Sequence, residues 1–121
     1  MDNRFIVYKS MENVFTFTIK QNGSMVPLLL TDTDTFTAKI MKIDDNSEPA
    51  NVTLTVNKLT PYANGKIELV LSGTGIANLV SEKGTKADRY YLKPTYKILI
   101  QCDTVGNGNF VARIDEVFVD A

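Results

Sequence analysis

Few residues in this chain could carry out chemistry, because its 121 residues include no histidine. Histidine is the commonest general base and metal ligand, and it completes serine and cysteine triads in their usual form. Its absence argues against most enzyme classes. We therefore predict a protein that is not an enzyme, with no catalytic, cofactor-binding or metal-binding residues.

Carboxylates are the remaining candidates for metal or acid–base chemistry. Asp32 lies near Asp34, and Asp44, Asp45 and Glu48 form a second group. Carboxylate oxygens can ligate a hard cation, but neither stretch has the alternating acids, central glycine and terminal glutamate of the twelve-residue calcium loop. We interpret both groups as solvated loop acids. A calcium site at Asp32 and Asp34, or a small hydrolase that uses carboxylates, is the alternative.

Two further motifs favour structural roles. Gly73-Thr74-Gly75 resembles a phosphate-binding turn, but it lacks the Gly-Lys-Ser/Thr ending of a Walker loop and the third glycine of a dinucleotide site. We predict a flexible corner between a strand and a helix. The lone Cys102 cannot form an internal disulfide and fits a reducing compartment. Because it lies in an alternating stretch, it is expected to be a small buried hydrophobic residue.

An aromatic and basic cluster lies in the last third of the chain. Its members are Tyr90, Tyr91, Tyr96, Arg89, Lys93 and Lys97. Such a cluster could stack nucleic acid bases or the side chains of a partner protein. A net charge of −1 and a pI near 5.3 disfavour nucleic acid and an anionic membrane. The cluster is interpreted as a strand with half-buried tyrosines, or else as a protein interface.

The clearest element is a closing hairpin. Tyr96, Ile98, Ile100 and Cys102 alternate with Lys97, Leu99 and Gln101, and the turn Gly106-Asn107-Gly108-Asn109 precedes a second apolar run. A Gly-Asn turn between two alternating runs is typical of a β-hairpin. The same period of two, or a short apolar run, predicts strands over residues 4–9, 14–20, 36–43, 51–57 and 66–72.

Other segments are expected to be less regular. Residues 25–30 contain Pro27, which cannot donate to a strand ladder and predicts an edge strand or a crossing between sheets. Residues 36–43 and 51–57 are predicted to pair as a second hairpin with a longer loop. Apolar spacing of three and four over residues 76–80 indicates one or two helical turns, ended by Gly84 and followed by a polar link through Arg89.

These elements predict an all-β, antiparallel sandwich or barrel with seven or eight strands and one short helix. Parallel architecture is disfavoured because crossover helices are missing. The chain, residues 1–121, is expected to form a single domain. It shows no signal peptide pattern and no apolar run of 18 residues, so we expect a soluble protein made in the cytosol.

The order of strand types resembles a known family. The chain passes in order through a predicted strand at residues 15–20, the turn Gln21-Asn22-Gly23-Ser24, a predicted strand at residues 65–72 with a brief helical turn after it, and the strand pair 96–100 and 112–117. This order resembles the immunoglobulin-like N-terminal domain of tailed-phage baseplate upper proteins and similar small phage virion domains, over roughly residues 14–119. The resemblance implies an immunoglobulin-like β-sandwich without catalytic residues.

The resemblance also implies a function. We expect a non-enzymatic structural protein of a tailed-phage virion, made in the host cytoplasm and present as a homo-oligomer or in many copies on a symmetric particle. It would dock on other virion proteins, at the baseplate, neck or collar, a fibre attachment or the capsid surface, without nucleic acid, membrane or cofactor. Expected interface residues are Phe5, Val7, Tyr8, Pro27, Tyr90 and Tyr91. The alternative is a carbohydrate- or cell-surface-binding β-sandwich module.

Overall fold

The computed structural model describes residues 5–9, 11–20, 28–86, 89–106 and 108–120. These residues form eight strands and two short 3₁₀ turns. The elements are β1 (Phe5–Tyr8), β2 (Asn13–Thr18), β3 (Thr35–Lys42), β4 (Thr53–Lys58), the turn Tyr62–Asn64, β5 (Lys66–Ser72), the turn Thr74–Asn78, β6 (Glu82–Lys86), β7 (Arg89–Thr104) and β8 (Gly108–Asp120). The predicted all-β class is confirmed.

The strands form two sheets packed as a sandwich. The first sheet has the order β1-β8-β7-β3, with β6 pairing to β7, and the second has the order β2-β5-β4. Neighbouring strands are antiparallel except for β1 and β8, which run parallel. The parallel pair places the beginning of the described chain beside its end.

Alternating side chains from both sheets fill the core. Ile67 and Leu71 of the second sheet and Ile98 and Ile100 of the first are 0% exposed and belong to one cluster. Each such side chain contributes about 1.5–3 kcal/mol by leaving water. Shifting the pairing register of a strand by one residue would turn all of its apolar side chains toward solvent. The alternation therefore determines which face of each strand is buried.

The closing hairpin is confirmed, with β7 and β8 joined by a short connection. Thr104 pairs with Gly108, and the Thr104 hydroxyl donates a hydrogen bond to the Gly108 carbonyl at 2.7 Å. Gly108 has φ of 73°, a left-handed conformation that glycine adopts without steric cost. Asn107 lies outside the described residues.

Strand β7 is longer than the predicted strand because it continues through a proline. Pro94 pairs with Phe118, and the register shifts between Pro94 and Tyr96 and again before Ile98. Proline lacks the N–H that a regular ladder needs, so it occurs at such irregularities. The tyrosine segment and the closing hairpin therefore share one strand.

The predicted hairpin between residues 36–43 and 51–57 is wrong. β3 pairs with β7 in the first sheet, and β4 pairs with β5 in the second. The connection between them crosses from one sheet to the other, and Asn46 and Asn51 in it adopt positive φ. Alternation specifies the buried face of a strand but not the neighbour along its edge, and two apolar faces bury each other equally well across a sandwich.

The expected polar link after the helical turn is also wrong. The 3₁₀ turn ends at Asn78, and Gly84 lies within β6 opposite Tyr91 rather than ending a helix. The Tyr91 ring covers Gly84 so closely that a Cβ atom there would overlap it. β6 lacks apolar alternation, which is why the sequence pattern does not indicate a strand.

Segment 25–30 is only partly described. Pro27 and the rest of residues 21–27 lie outside the described residues, whereas Leu28 and Leu30 are buried in the core without forming a strand. In the described part of the chain, no helix has the length and apolar character needed to cross a bilayer.

Candidate interaction site

The short strand β1 closes only part of one side of the first sheet. Phe5 pairs with Val117 and Tyr8 with Asp120, so β1 covers the last residues of β8. The Phe5 ring packs against Phe15 and Phe17 of the second sheet, at centroid distances of 5.4 and 6.1 Å. β1 therefore joins the two sheets at this edge.

The buried amide of Asn13 pairs with the backbone of β1. The Tyr8 N–H donates to Asn13 Oδ1 at 2.9 Å, and Asn13 Nδ2 donates to the Tyr8 carbonyl at 3.0 Å. Asn13 Nδ2 also donates to the Met11 carbonyl at 3.0 Å. The amide thus substitutes for a neighbouring strand at Tyr8. This role was not predicted from the sequence, where its signal is an asparagine directly before the predicted strand 14–20.

The residues expected at an interface occupy different environments. Val7 is fully buried, so its side chain belongs to the core rather than to a surface, and Phe5 is half-buried. Tyr8 and Tyr91 are 43% and 46% exposed. Pro27 lies outside the described residues, and Tyr90 lies in β7 opposite Thr85.

The aromatic and basic cluster is divided by the fold. Tyr96 is almost fully buried, and its hydroxyl accepts a hydrogen bond from the Val80 N–H at 2.9 Å. Tyr91 is exposed on the part of β7 that pairs with β6. The two side chains therefore do not form one surface.

The hairpin made by β6 and the first part of β7 extends beyond the four-stranded region, because β8 and β3 pair with β7 only from Pro94 onward. Its base is held by side-chain hydrogen bonds. Thr95 Oγ1 donates to the Val80 carbonyl at 2.8 Å, and Ser81 Oγ donates to the Val119 carbonyl at 2.6 Å. The hairpin is anchored to the core and presents Tyr91 to solvent.

An apolar groove lies where the edge of the first sheet is open. In the described part of the chain, no strand pairs with the outer edge of β8 before Val117. A groove of about 850 Å³ lies between this edge and β2. We call it the open groove; its lining includes Phe5, Phe17, Leu28, Phe110, Ala112 and Ile114, with the exposed Lys20 and Arg113 at its rim.

Asp34, a candidate cation ligand, is used inside the fold. It is 1% exposed, and its two oxygens accept the N–H groups of Thr31 and Val105, each at 2.9 Å. Burial alone would raise the pKa of Asp34, but hydrogen bonds from Val105 and Thr31, with the charge of Lys58, lower it below its ordinary value. Asp34 ties the loop before β3 to the turn between β7 and β8.

The other acids also do not form a metal site in the described part of the chain. Asp45 Oδ1 accepts hydrogen bonds from the N–H of Ser47 at 3.0 Å and from its hydroxyl at 2.6 Å, which lowers the pKa of Asp45. This is the local turn that an aspartate side chain commonly makes. Among the described residues, no three acidic or thiol side chains are grouped as ligands for a metal ion.

Cys102 is a buried core residue, as predicted. It is fully buried, and its thiol donates to the Ile100 carbonyl at 3.6 Å. Burial raises the pKa of Cys102 to about 11. Since the thiolate is the nucleophilic form, the thiol is unreactive near neutral pH.

Gly73-Thr74-Gly75 forms the predicted corner between β5 and the following 3₁₀ turn. Gly73 has φ of 111°, and the Gly75 N–H donates to the Asn51 carbonyl at 3.0 Å. A Cβ atom on Gly75 would overlap the Ala50 carbonyl. These glycines allow the backbone after β5 to approach the connection between β3 and β4 closely, so their role is in packing.

Comparison with known proteins supplies no assignment, because the sequence matches no model of a protein family and no curated protein. The functional conclusion therefore depends on the geometry of the strand edges and of the open groove, together with the resemblance in strand order.

Proposed function

We propose that this protein is a non-enzymatic structural protein of a tailed-phage virion, in which the β-sandwich docks on neighbouring subunits. The observation that carries the proposal is the outer edge of β8, which pairs with no described strand before Val117, beside the open groove. An unpaired edge next to apolar surface favours association with another chain. The resemblance in strand order supplies the virion context, at the baseplate, the neck or collar, a fibre attachment or the capsid surface.

Edge pairing suits assembly on a particle for a physical reason. Backbone hydrogen bonds from an added strand give the contact a direction, and side-chain pockets give it selectivity. When many identical copies sit on a symmetric particle, modest contacts add through multivalency. The exposed Tyr8 and Tyr91 provide further aromatic contact area of the kind enriched at protein interfaces.

Mass spectrometry of purified phage particles tests this proposal. We expect the chain at a fixed stoichiometry to the major virion proteins, retained after washing at high salt. Tyr8→Ala and Tyr91→Ala should lower its incorporation, whereas Val105→Ala, a change at an exposed residue of the β7–β8 turn, should not. Particles without the chain, together with only free monomer in infected cells, would contradict the proposal.

A carbohydrate- or cell-surface-binding module is the second candidate. It is favoured by the partly exposed ring of Tyr91 on the extended hairpin, held in place over Gly84. Aromatic rings presented in this way can stack on a flat ligand. A glycan array with wild type and Tyr91→Ala tests it: binding lost in the variant supports the module, and no binding by folded wild type rejects it.

A further inference from the structure

Strand β4 forms the edge of the second sheet that lies away from the open groove. β5 pairs with one side of β4, and no described strand pairs with the other. Leu28 and Ile19, close to either end of segment 21–27, are joined by a backbone hydrogen bond of 2.8 Å beside β2. The Phe5 ring at the start of β1 also packs on β2. β2 lies across β5 from β4, so β4 is the far edge of this sheet from both.

Alternate residues of β4 direct their backbone groups away from the sheet. The Leu59 N–H donates to the Lys66 carbonyl of β5 at 3.0 Å. Because these directions alternate along an antiparallel strand, Leu54 and Val56 direct their N–H and C=O groups outward. Their side chains are half-buried against the core. A strand added at this edge would therefore gain backbone hydrogen bonds and apolar contact together.

β4 lacks the features that commonly protect an edge strand. Such strands carry a charge, a proline or a bulge, each of which discourages pairing with another chain. The residues Thr53 to Asn57 include no charge and no proline, and their pairing with β5 has no register shift. By contrast, β3 carries Lys39, β6 carries Lys83, and the Asn13 amide closes β1 at Tyr8. Among these edges, β4 is the one best suited to pairing.

β4 also matches itself in the antiparallel direction. When Thr55 lies opposite Thr55 of a second copy, Leu54 of each copy lies opposite Val56 of the other. These are the residues with outward backbone groups, so they form about four hydrogen bonds around a two-fold axis. The apolar side chains meet on the core side, and the threonines meet on the outer side as a favourable cross-strand pair.

The charges beside this edge fit the same register. Lys58 of one copy comes opposite Val52 of the second, and Glu48 lines a small space together with Val52 and Leu54. The exposed Glu48 therefore lies near Lys58 of the other copy, at both ends of the paired strands. Lys58 Nζ donates to two loop carbonyls and keeps one N–H for a further acceptor. Because exposed ion pairs contribute little, this contact sets the register more than it holds the dimer.

We propose that β4 pairs with β4 of a second copy of this chain, so that the second sheets of the two copies join into one continuous sheet. The two-fold arrangement is closed, so association stops at the dimer. The inference goes beyond the proposed function, which requires docking on other virion proteins but not a dimer. Pairing through β4 leaves β8 and the open groove available for such docking.

Sedimentation and hydrogen exchange test the pairing with the purified full chain. We expect a reversible dimer whose fraction rises with protein concentration. The amides of Leu54 and Val56 should exchange about tenfold more slowly well above the dissociation constant than well below it, whereas those of β3 should not change. A chain that stays monomeric at millimolar concentration, or protection that arises in β3 and not in β4, would overturn the proposal.

A cysteine at the two-fold axis tests the register. Thr55→Cys should form a disulfide between copies in the presence of glutathione disulfide, because the two Cα atoms would lie about 4.5 Å apart. The native Cys102 is fully buried and should stay reduced. Thr16→Cys, at an exposed threonine of β2, is the matched control and should not cross-link. Equal rates of cross-linking in the two variants would show that the copies do not meet at Thr55.

Changes of surface charge test the contacts without disturbing the core. Thr55→Lys places like charges opposite each other and should weaken the dimer about tenfold, whereas Thr16→Lys should leave it unchanged. Glu48→Lys replaces an attraction to Lys58 by a repulsion and should weaken the dimer about fivefold. Glu116→Lys, at an exposed acid of β8, is its control. If all four variants dimerise like wild type, the dimer uses another surface and the proposal is wrong.

The dimer and the virion role can fail separately. A dimer formed by a chain that is missing from particles rejects only the virion role. A chain present in particles that stays monomeric in solution, with no protection of β4, rejects only the dimer. If the amides of Leu54 and Val56 are protected in particles while the free chain is monomeric, the edge belongs to a different virion protein, which also overturns the pairing of two copies.

Discussion

Single polar side chains hold the irregular parts of this sandwich. Asp34 and Asn13 are buried, and each satisfies backbone groups that no strand pairs with. Lys58 adds a third tie, since its Nζ donates to the carbonyls of Thr31 and Asp32 at 2.7 and 2.9 Å. A buried backbone group left without a partner is costly, so these residues stabilise loops that the core alone would not order.

Asp34→Asn should reduce the free energy of unfolding by about 2 kcal/mol. The carboxylate accepts hydrogen bonds from two backbone N–H groups. The asparagine amide can accept only through its oxygen, so its NH₂ group would face the other backbone N–H, donor against donor. Urea unfolding near neutral pH measures the loss. Asp32→Asn, at an exposed neighbour, is the control and should change stability by less than about 0.5 kcal/mol. Equal effects of both changes would contradict the assigned role.

Asp34 should also make the free energy of unfolding depend on pH in the acid range. Its pKa in the folded state lies below the ordinary value of 3.8, so its contribution is complete above that value and is lost as the pH falls through the folded-state pKa. Urea midpoints measured from about pH 7 to about pH 2 should fall less steeply in Asp34→Asn than in wild type. Parallel curves for the two proteins would show that Asp34 is not responsible.

Gly75→Ala should destabilise the protein by about 2 kcal/mol, because the added methyl group would overlap the Ala50 carbonyl and force the backbone apart. Gly106→Ala is the matched change, since a Cβ atom at Gly106 meets no atom within 4 Å among the described residues. That variant should differ from wild type by less than about 1 kcal/mol. Thermal unfolding of both variants measures the difference.

At the scale of elements, β1 depends on contacts at both of its edges. One edge pairs with β8, and on the other the Asn13 amide binds both backbone groups of Tyr8. A four-residue strand makes few ladder hydrogen bonds. A side chain that takes the place of a neighbouring strand therefore contributes a large part of the hydrogen bonding that keeps β1 ordered. The same amide blocks this end of the strand from pairing with another chain.

Asn13→Ala should loosen β1 more than the rest of the fold. We expect a loss of about 2 kcal/mol in unfolding free energy and faster hydrogen exchange in β1. Asn57→Ala is the control, because the Asn57 amide is exposed and makes a single 3.3 Å contact with Glu68. Uniform acceleration of exchange across both sheets, without preference for β1, would argue against this role.

At the scale of the whole molecule, the parallel pair of β1 and β8 determines which side of the sandwich is open. β1 covers the end of β8 and leaves the preceding edge next to the groove. The opposite end of the first sheet is β3, and β6 extends beyond the sheet with β7. The groove, β1 with Tyr8, and the part of β8 that pairs with no described strand therefore lie along the same edge of the first sheet.

A pair of neighbouring substitutions separates packing from docking on that side. Val7→Ala removes a fully buried side chain and should cost about 2 kcal/mol of stability. Tyr8→Ala removes a partly exposed ring and should cost less than about 1 kcal/mol. Under the proposed function, Tyr8→Ala lowers incorporation into particles although the protein stays folded. Calorimetric unfolding and quantification in particles give the two readouts.

The sequence by itself determined the class of fold and most of the core. Period-two alternation identified the inward faces of β3, β4, β5 and β7, including Ile40, Leu54, Leu69 and Ile98, because the buried face of a strand is written locally in every second residue. The same alternation predicted Cys102 as a core residue, and the turn glycines located the closing hairpin. Of the residues predicted at an interface, Phe5 lines the open groove and Tyr8 is exposed, and their role in docking stays a prediction.

Only the tertiary structure decided strand order, and with it the site. The separation of β3 from β4, the pairing of β6, the parallel approach of β1 to β8 and the open groove all depend on contacts between distant residues. The roles of Asn13 and Asp34 depend on backbone groups that such contacts leave unpaired. Alternation determines which face of a strand a side chain lies on, but it does not determine which strand pairs along the edge. The groove lies beside a part of β8 that pairs with no described strand.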